Sequence, residues 1–249
     1  MQNVVLVHEI DAEAELDRLA ACYQSAGGAG VKLLNRLGGS AESLLSQLPE
    51  PVQAGLNGAT ESALWIAMHA AESSRRAVPD QTPWVNTAVT TAMGAAGGFG
   101  GVSTSLMELP ATTAMLLRSI QGAAAREGFD PSEQGVKFDC IRVLSAAGPL
   151  AHDDGADAGF FSARLTLSGP TMQRLIAAVA PKLSVVLGQK LAAQSVPVLG
   201  ALAGGGTNYV YTRYYQQVAR VHFGLRRLAV DADIPHDELV SRLSNRMLR

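Results

Sequence analysis

Residues 94–101 hold five glycines, Gly94, Gly97, Gly98, Gly100 and Gly101, and a second cluster, "LGALAGGG", fills 199–206. Glycine in a helix interior costs about 1 kcal/mol relative to alanine. Such clusters therefore persist where the chain turns, or where another backbone comes too near for a side chain. A phosphate loop would need a lysine at its end and a strand before it. A dinucleotide fingerprint would need a βαβ unit. Neither context is present: the cluster has no lysine and follows no alternating valine-rich run. Close helix approach fits instead. Gly97 and Gly101 are four apart, as are Gly200 and Gly204, the small-xxx-small spacing that lets two helices meet.

Composition agrees with close-packed helices. Charged residues make up 17% of the 249 positions and aromatics 5%, against about 25% charged in an average domain. A net charge of −2 gives no overall attraction for nucleic acid. Cys22 and Cys140 have no CxxC spacing, so neither a disulfide framework nor a cysteine-based zinc site is expected. The loop "HDDGAD", with His152, Asp153, Asp154 and Asp157, lacks the glycine and closing glutamate of a calcium loop. No metal and no cofactor is expected. Residues 83–107 carry no charge over 25 positions and 191–212 none over 22, lengths that could cross a bilayer. They are rich in Ala, Gly, Thr and Ser rather than in Leu, Ile and Phe, which favours buried or membrane-lying helices. The start, "MQNVVLVHEIDAEAELD", lacks the basic region and apolar run of a signal peptide, so a cytoplasmic setting is expected.

The apolar pattern is helical almost throughout, and the fold class expected is all-α, a multi-helix bundle with glycine-rich packing. Leu16, Leu19, Ala20 and Tyr23 share one face of a first helix. A helix is expected to end at Pro49 and another to run through "ATESALWIAMHAAESSRR". Pro110 suits a first helical position and Gly128 a position just past the end; Thr113, Leu117, Ile120 and Ala124 form the stripe between them. Residues 1–60 read as an N-terminal helical extension and 61–249 as the main helical domain.

Two blocks are similar to the EcsC family: "GAAGGFGGVSTSLMELPATTAMLLRSIQGAAAREGFD" (94–130) and "KLAAQSVPVLGALAGGGTNYVYTRYYQQVARVHFGLRRL" (190–228). They share its order of glycine cluster, acid-Leu-Pro, Leu-Arg-x-Ile and Gly-Phe-Asp. Val-Pro-x-x-Gly-Ala, a second glycine cluster and a helix ending in "HFGLRRL" follow. The family is named for a protein encoded beside the two components of an ABC transporter linked to protein secretion. The resemblance implies a helical bacterial protein associated with transport or the envelope, with ABC transporter components as partners. It brings no reaction with it.

At about 100° per residue, Val210, Tyr214, Val221, Leu225 and Leu228 form the core stripe of a long helix at roughly 205–230. Asn208, Tyr211, Tyr215, His222 and Arg226 lie beside it, a grouping that suits either a ligand- or partner-lining face or a solvated edge. Glu108 and Arg118, the rare charges of the first block, are expected to pair with charges from the second or to join that face. Arg213, Arg220 and Arg227 occupy another flank, suited to anionic lipid at about 1 kcal/mol per residue. The function expected is non-enzymatic work at the inner face of the cytoplasmic membrane, accessory to ABC transport or secretion. The alternative is a hydrolase-like enzyme with an interior pocket around His222, Glu108 and Arg118. There is no Gly-x-Ser-x-Gly elbow, Cys140 and His222 could pair only through the fold, and His8, His69 and His236 stand alone.

Overall fold

The computed structural model describes residues 10–26, 28, 46, 48–77, 82–97, 109–146, 148, 172–194 and 200–247. Among them are eight helices and no strand: α1 (Ala12–Ala26), α2 (Glu50–Ala77), α3 (Pro83–Gly97), α4 (Leu109–Arg126), α5 (Gln134–Leu144), α6 (Met172–Gln194), α7 (Gly200–Asp231) and α8 (His236–Met247). The fold is an all-α bundle. Its axis is α7, which packs on α1, α3, α4, α5, α6 and α8. Tyr211, Tyr214, Tyr215, Val218, Ala219, Val221, Phe223 and Leu225 are all sealed from solvent.

The closest pairing is α3 against α7, and the sequence shows why. A Cβ on Gly94 would overlap the carbonyl oxygen of Gly204 and the side-chain amide of Asn208, and one on Gly205 would come within 3.2 Å of the Thr91 carbonyl oxygen. Backbones meet here because side chains are missing. Above the contact runs a polar ladder at four-residue spacing on α7. Asn208 donates to the Thr90 carbonyl at 2.8 Å, Thr212 to the Thr90 hydroxyl at 2.9 Å, and Gln216 to the Pro83 carbonyl at 3.0 Å. Each bond satisfies a group whose unpaired burial would cost about 1–3 kcal/mol. The uncharged run that could have suggested a bilayer segment is, over 83–97, one wall of this contact.

Of the glycines singled out above, Gly204 lies in this contact. Gly97 ends α3, Gly200 opens α7 with surroundings that are not described, and Gly101 lies outside the described residues. The charge-free stretch 191–212 is shared between two helices, α6 and α7. Among the described residues one helical segment, Met172–Ala192, is long and apolar enough to cross a membrane by composition, but 72% of its most apolar window is buried within the bundle.

The helix expected to end at Pro49 falls mostly outside the described residues, and Pro49 itself stands just before the start of α2. The Pro49 carbonyl accepts from Val52 and Gln53 at 2.9 and 3.1 Å, and a proline at the mouth of a helix gives up no hydrogen bond the helix needs. Helix α2 thus runs unbroken through position 60. Helix α1 is part of the core rather than an appendage. Leu16 and Leu19 are fully buried, and Leu19 fills the space beside Gly224 of α7, where a Cβ would sit 2.7 Å from its Cδ2.

The C-terminal end of α4 is set by the Gly-Phe-Asp motif. Gly128 adopts φ +85°, its amide donates to Ala125 at 3.1 Å, and the Phe129 amide reaches back to Ala124 at 3.0 Å. This is the paired hydrogen-bond closure that glycine makes possible past a helix end. It turns Phe129 inward against Phe223, ring centroids 5.7 Å apart. Asp130 then accepts from the Ser132 amide and hydroxyl at 2.8 and 2.7 Å, starting the approach to α5.

The glycine contact has a direct test. Gly94→Ala is expected to destabilise the protein by about 1–2 kcal/mol, overpacking outweighing the gain in helix propensity. Gly206→Ala, where nothing lies within 4 Å of the added Cβ, is expected to be neutral or stabilising by up to about 1 kcal/mol. Urea midpoints of the two variants measure both.

Candidate functional site

The polar sector of α7 faces inward. Asn208 is held by α3, Tyr211 donates to the Val186 carbonyl of α6 at 3.4 Å, and Tyr215 donates to the Leu144 carbonyl of α5 at 3.3 Å. These three residues tie helices together; each hydroxyl or amide already has a backbone acceptor. Arg118 is buried in α4, and Glu108 lies outside the described residues.

His222 and Arg226 meet a residue that sequence reasoning passed over, Asp139 of α5. Arg226 donates to Asp139 Oδ2, His222 Nε2 lies 3.5 Å from Oδ1, and Arg142 stands 3.7 Å from the same oxygen. The Arg226 guanidinium also sits 4.6 Å over the Phe129 ring, so the Gly-Phe-Asp turn and the charge cluster share one side chain. Burial alone would raise the Asp139 pKa. The hydrogen bond and charge of His222, with Arg226 and Arg142, outweigh it and hold the carboxyl below its usual range. His236 does not stand alone: burial, then His222, Arg226 and Arg142, lower its pKa, with Asp237 opposing.

This cluster brings together an acid and an imidazole, the pair that supports a nucleophile in a catalytic dyad. The neighbouring Cys140 is fully buried. Burial first, and the Asp139 charge next, push its thiol well above the ordinary range, so it stays protonated and unreactive. Among the described residues no group of three or more His, Cys, Asp or Glu side chains could hold a metal ion. What the cluster does is fasten α5 to α7.

On another flank of α7, about 145° away at 100° per residue, Arg213, Arg220 and Arg227 are exposed. Arg227 is engaged, pairing with Asp231 and donating to the Glu127 carbonyl at 3.2 Å. Arg213 and Arg220 have no side-chain partner among the described residues. Both line a groove of about 750 Å³ between α1 and α7. Arg18, Cys22 and Ser25 form its α1 wall, Gln216 and Gln217 complete the α7 wall, and Pro83, Arg126 and Glu127 close it. Sequence reasoning found the α7 arginines by their seven-residue spacing. It missed Arg18 and Arg126, which come from helices far away in the chain and show no local pattern.

The model of the EcsC protein family matches residues 73–228. No curated protein and no solved structure matches the chain.

Asp139→Asn keeps the shape of the inner cluster and removes its charge. It is expected to lower stability by about 2–3 kcal/mol near neutral pH, the range for hydrogen bonds to charged groups. The folded-state pKa lies below the unfolded one, so this stabilisation is complete above about pH 4 and fades as pH falls through the lower, folded-state value. Denaturation midpoints of the variant and the parent should therefore converge in acid.

Proposed function

The chain belongs to the EcsC protein family, and from that premise we propose that it works by contact at the inner face of the cytoplasmic membrane rather than by covalent chemistry. The observation that carries this reading is the exposed arginine line of α7, two of whose members, Arg213 and Arg220, lack a carboxylate partner among the described residues. Guanidinium groups without internal partners are free to meet phosphate, which they bind in a two-pronged geometry. Two exposed aromatics accompany them. Tyr209, 47% exposed, precedes Arg213 by one helical turn, and Trp84, 71% exposed, follows the groove residue Pro83. Tyrosine and tryptophan are the side chains that settle at a membrane–water boundary.

The partners proposed are anionic lipid and, through the family resemblance, components of an ABC transporter or of a secretion system. The hydrolase-like alternative draws less support. His222 is committed to Asp139, Cys140 is sealed, and the tyrosine hydroxyls of the same face are bonded to backbone.

Flotation with vesicles of phosphatidylcholine, with and without phosphatidylserine, tests the proposal. At about 1 kcal/mol per basic residue near an anionic surface, the Arg213→Ala/Arg220→Ala/Arg227→Ala variant should bind anionic vesicles roughly 30- to 150-fold more weakly. Arg227→Ala alone should lose the least, because Asp231 already engages that side chain. Equal recovery of parent and triple variant, or no flotation of the parent at low salt, would remove the reading.

A further inference from the structure

We infer that the groove between α1 and α7 is a binding site for a phosphate monoester, presented either by a lipid headgroup or by a small soluble metabolite. The inference deepens the membrane-surface reading and shares Arg213 and Arg220 with it, but it requires a shaped site where that reading requires only surface charge.

Two helices face the groove with the same spacing. Arg18, Ala21, Cys22 and Ser25 on α1, and Arg213, Gln216, Gln217 and Arg220 on α7, each stand at i, i+3, i+4 and i+7, the positions that share one side of a helix. Gln217 donates to the Ser25 hydroxyl at 2.7 Å, tying the two walls together. Leu19 seated at Gly224 fixes their separation from behind. Arg126 and Glu127 contribute from the end of α4, and Pro83 from the start of α3. No acid lies in the first turn of α3, so the positive end of that helix adds to the field.

Charge is concentrated here against the trend of the molecule. The lining holds four arginines and one glutamate, in a chain whose net charge is −2. Arg18 is held by two hydrogen bonds to Glu15, a carboxylate outside the lining, so an incoming phosphate would share it with that residue. The positive field acts on Cys22: burial pushes its thiol up, while Arg220, Arg18 and Arg213 each pull it back. A monoester dianion meets more of this charge than a diester monoanion, and guanidinium forks match its oxygens in pairs. The groove volume of about 750 Å³ falls within the range of small-molecule sites and exceeds what an inorganic phosphate would fill.

Cys22 supplies an internal reporter, since it lies in the groove and Cys140 is buried. The experiment measures Cys22 alkylation in the full chain by mass spectrometry. Its probes are glycerol 3-phosphate, glycerol alone, and vesicles of phosphatidylcholine containing either phosphatidic acid or phosphatidylserine at matched surface charge. Glycerol 3-phosphate at about ten times its Kd should slow alkylation about ten-fold, and glycerol should not. Phosphatidic acid vesicles should protect more than phosphatidylserine vesicles. Arg18→Gln and Arg126→Gln, both outside the exposed line of α7, should each raise the apparent Kd about ten-fold, leaving alkylation slowed only about two-fold at the same ligand concentration, with thermal unfolding confirming that they fold.

Protection by phosphatidic acid vesicles alone assigns the site to a lipid; protection by glycerol 3-phosphate without flotation assigns it to a soluble ligand and removes the membrane reading. Flotation on both vesicle types without protection of Cys22 leaves the membrane reading standing and overturns the groove. Protection that survives both glutamine substitutions overturns it as well.

Discussion

The contact of α3 with α7 sets the geometry on which the rest depends. Two helices whose backbones come together at Gly94, Gly204 and Gly205 have little freedom to roll past each other, because a small rotation would push Asn208 or Thr91 into the facing main chain. The ladder of Asn208, Thr212 and Gln216 then fixes the register, each side chain reaching an acceptor on α3. The rotation of α7 decides everything downstream. It sends His222 and Arg226 toward Asp139, and it leaves Arg213 and Arg220 facing the groove.

The two charged flanks of α7 illustrate how burial divides labour among similar residues. On the inner flank, Arg226 and Arg142 surround one carboxylate that solvent barely reaches, its side chain 15% exposed. There a charge without a partner would be strongly destabilising, so the arginines and Asp139 have to answer one another. On the outer flank, water shields the guanidinium groups, and leaving them unpaired costs little. Unpaired charge that costs the fold little is what a surface can offer to a ligand.

Helical periodicity revealed the elements and the core. Leu16, Leu19, Thr113, Leu117, Ile120 and Ala124, all placed on core stripes by spacing, are fully buried or nearly so. Gly128 past the end of α4 was legible too, because only glycine readily adopts its positive φ. The fate of the polar sector of α7 was not legible. Arithmetic at 100° per residue shows that Asn208, Tyr211, Tyr215, His222 and Arg226 share a side, but not that α3, α5 and α6 cover it. Asp139 was hidden for a related reason: an acid on a short helix acquires its meaning from His222 and Arg226, the latter 87 positions away. The helix that begins just past Pro49 was not legible from the proline alone, because proline can both close one helix and open the next. Gly94, the tightest point of the contact, stands four before Gly98, but so many glycines fall together here that spacing does not say which pair meets the other helix.

Close approach of α3 and α7 is open to one direct measurement. A Cβ on Gly205 would lie 3.4 Å from the Cβ of Ala95, near the roughly 3.5–4.5 Å that a disulfide requires. In a Cys22→Ser background, the Ala95→Cys/Gly205→Cys pair should therefore oxidise rapidly and quantitatively in the folded protein, as seen by mass spectrometry. A pair that closes no faster folded than in urea would mean that the two backbones do not meet, and the orientation of α7 would have to be abandoned with them.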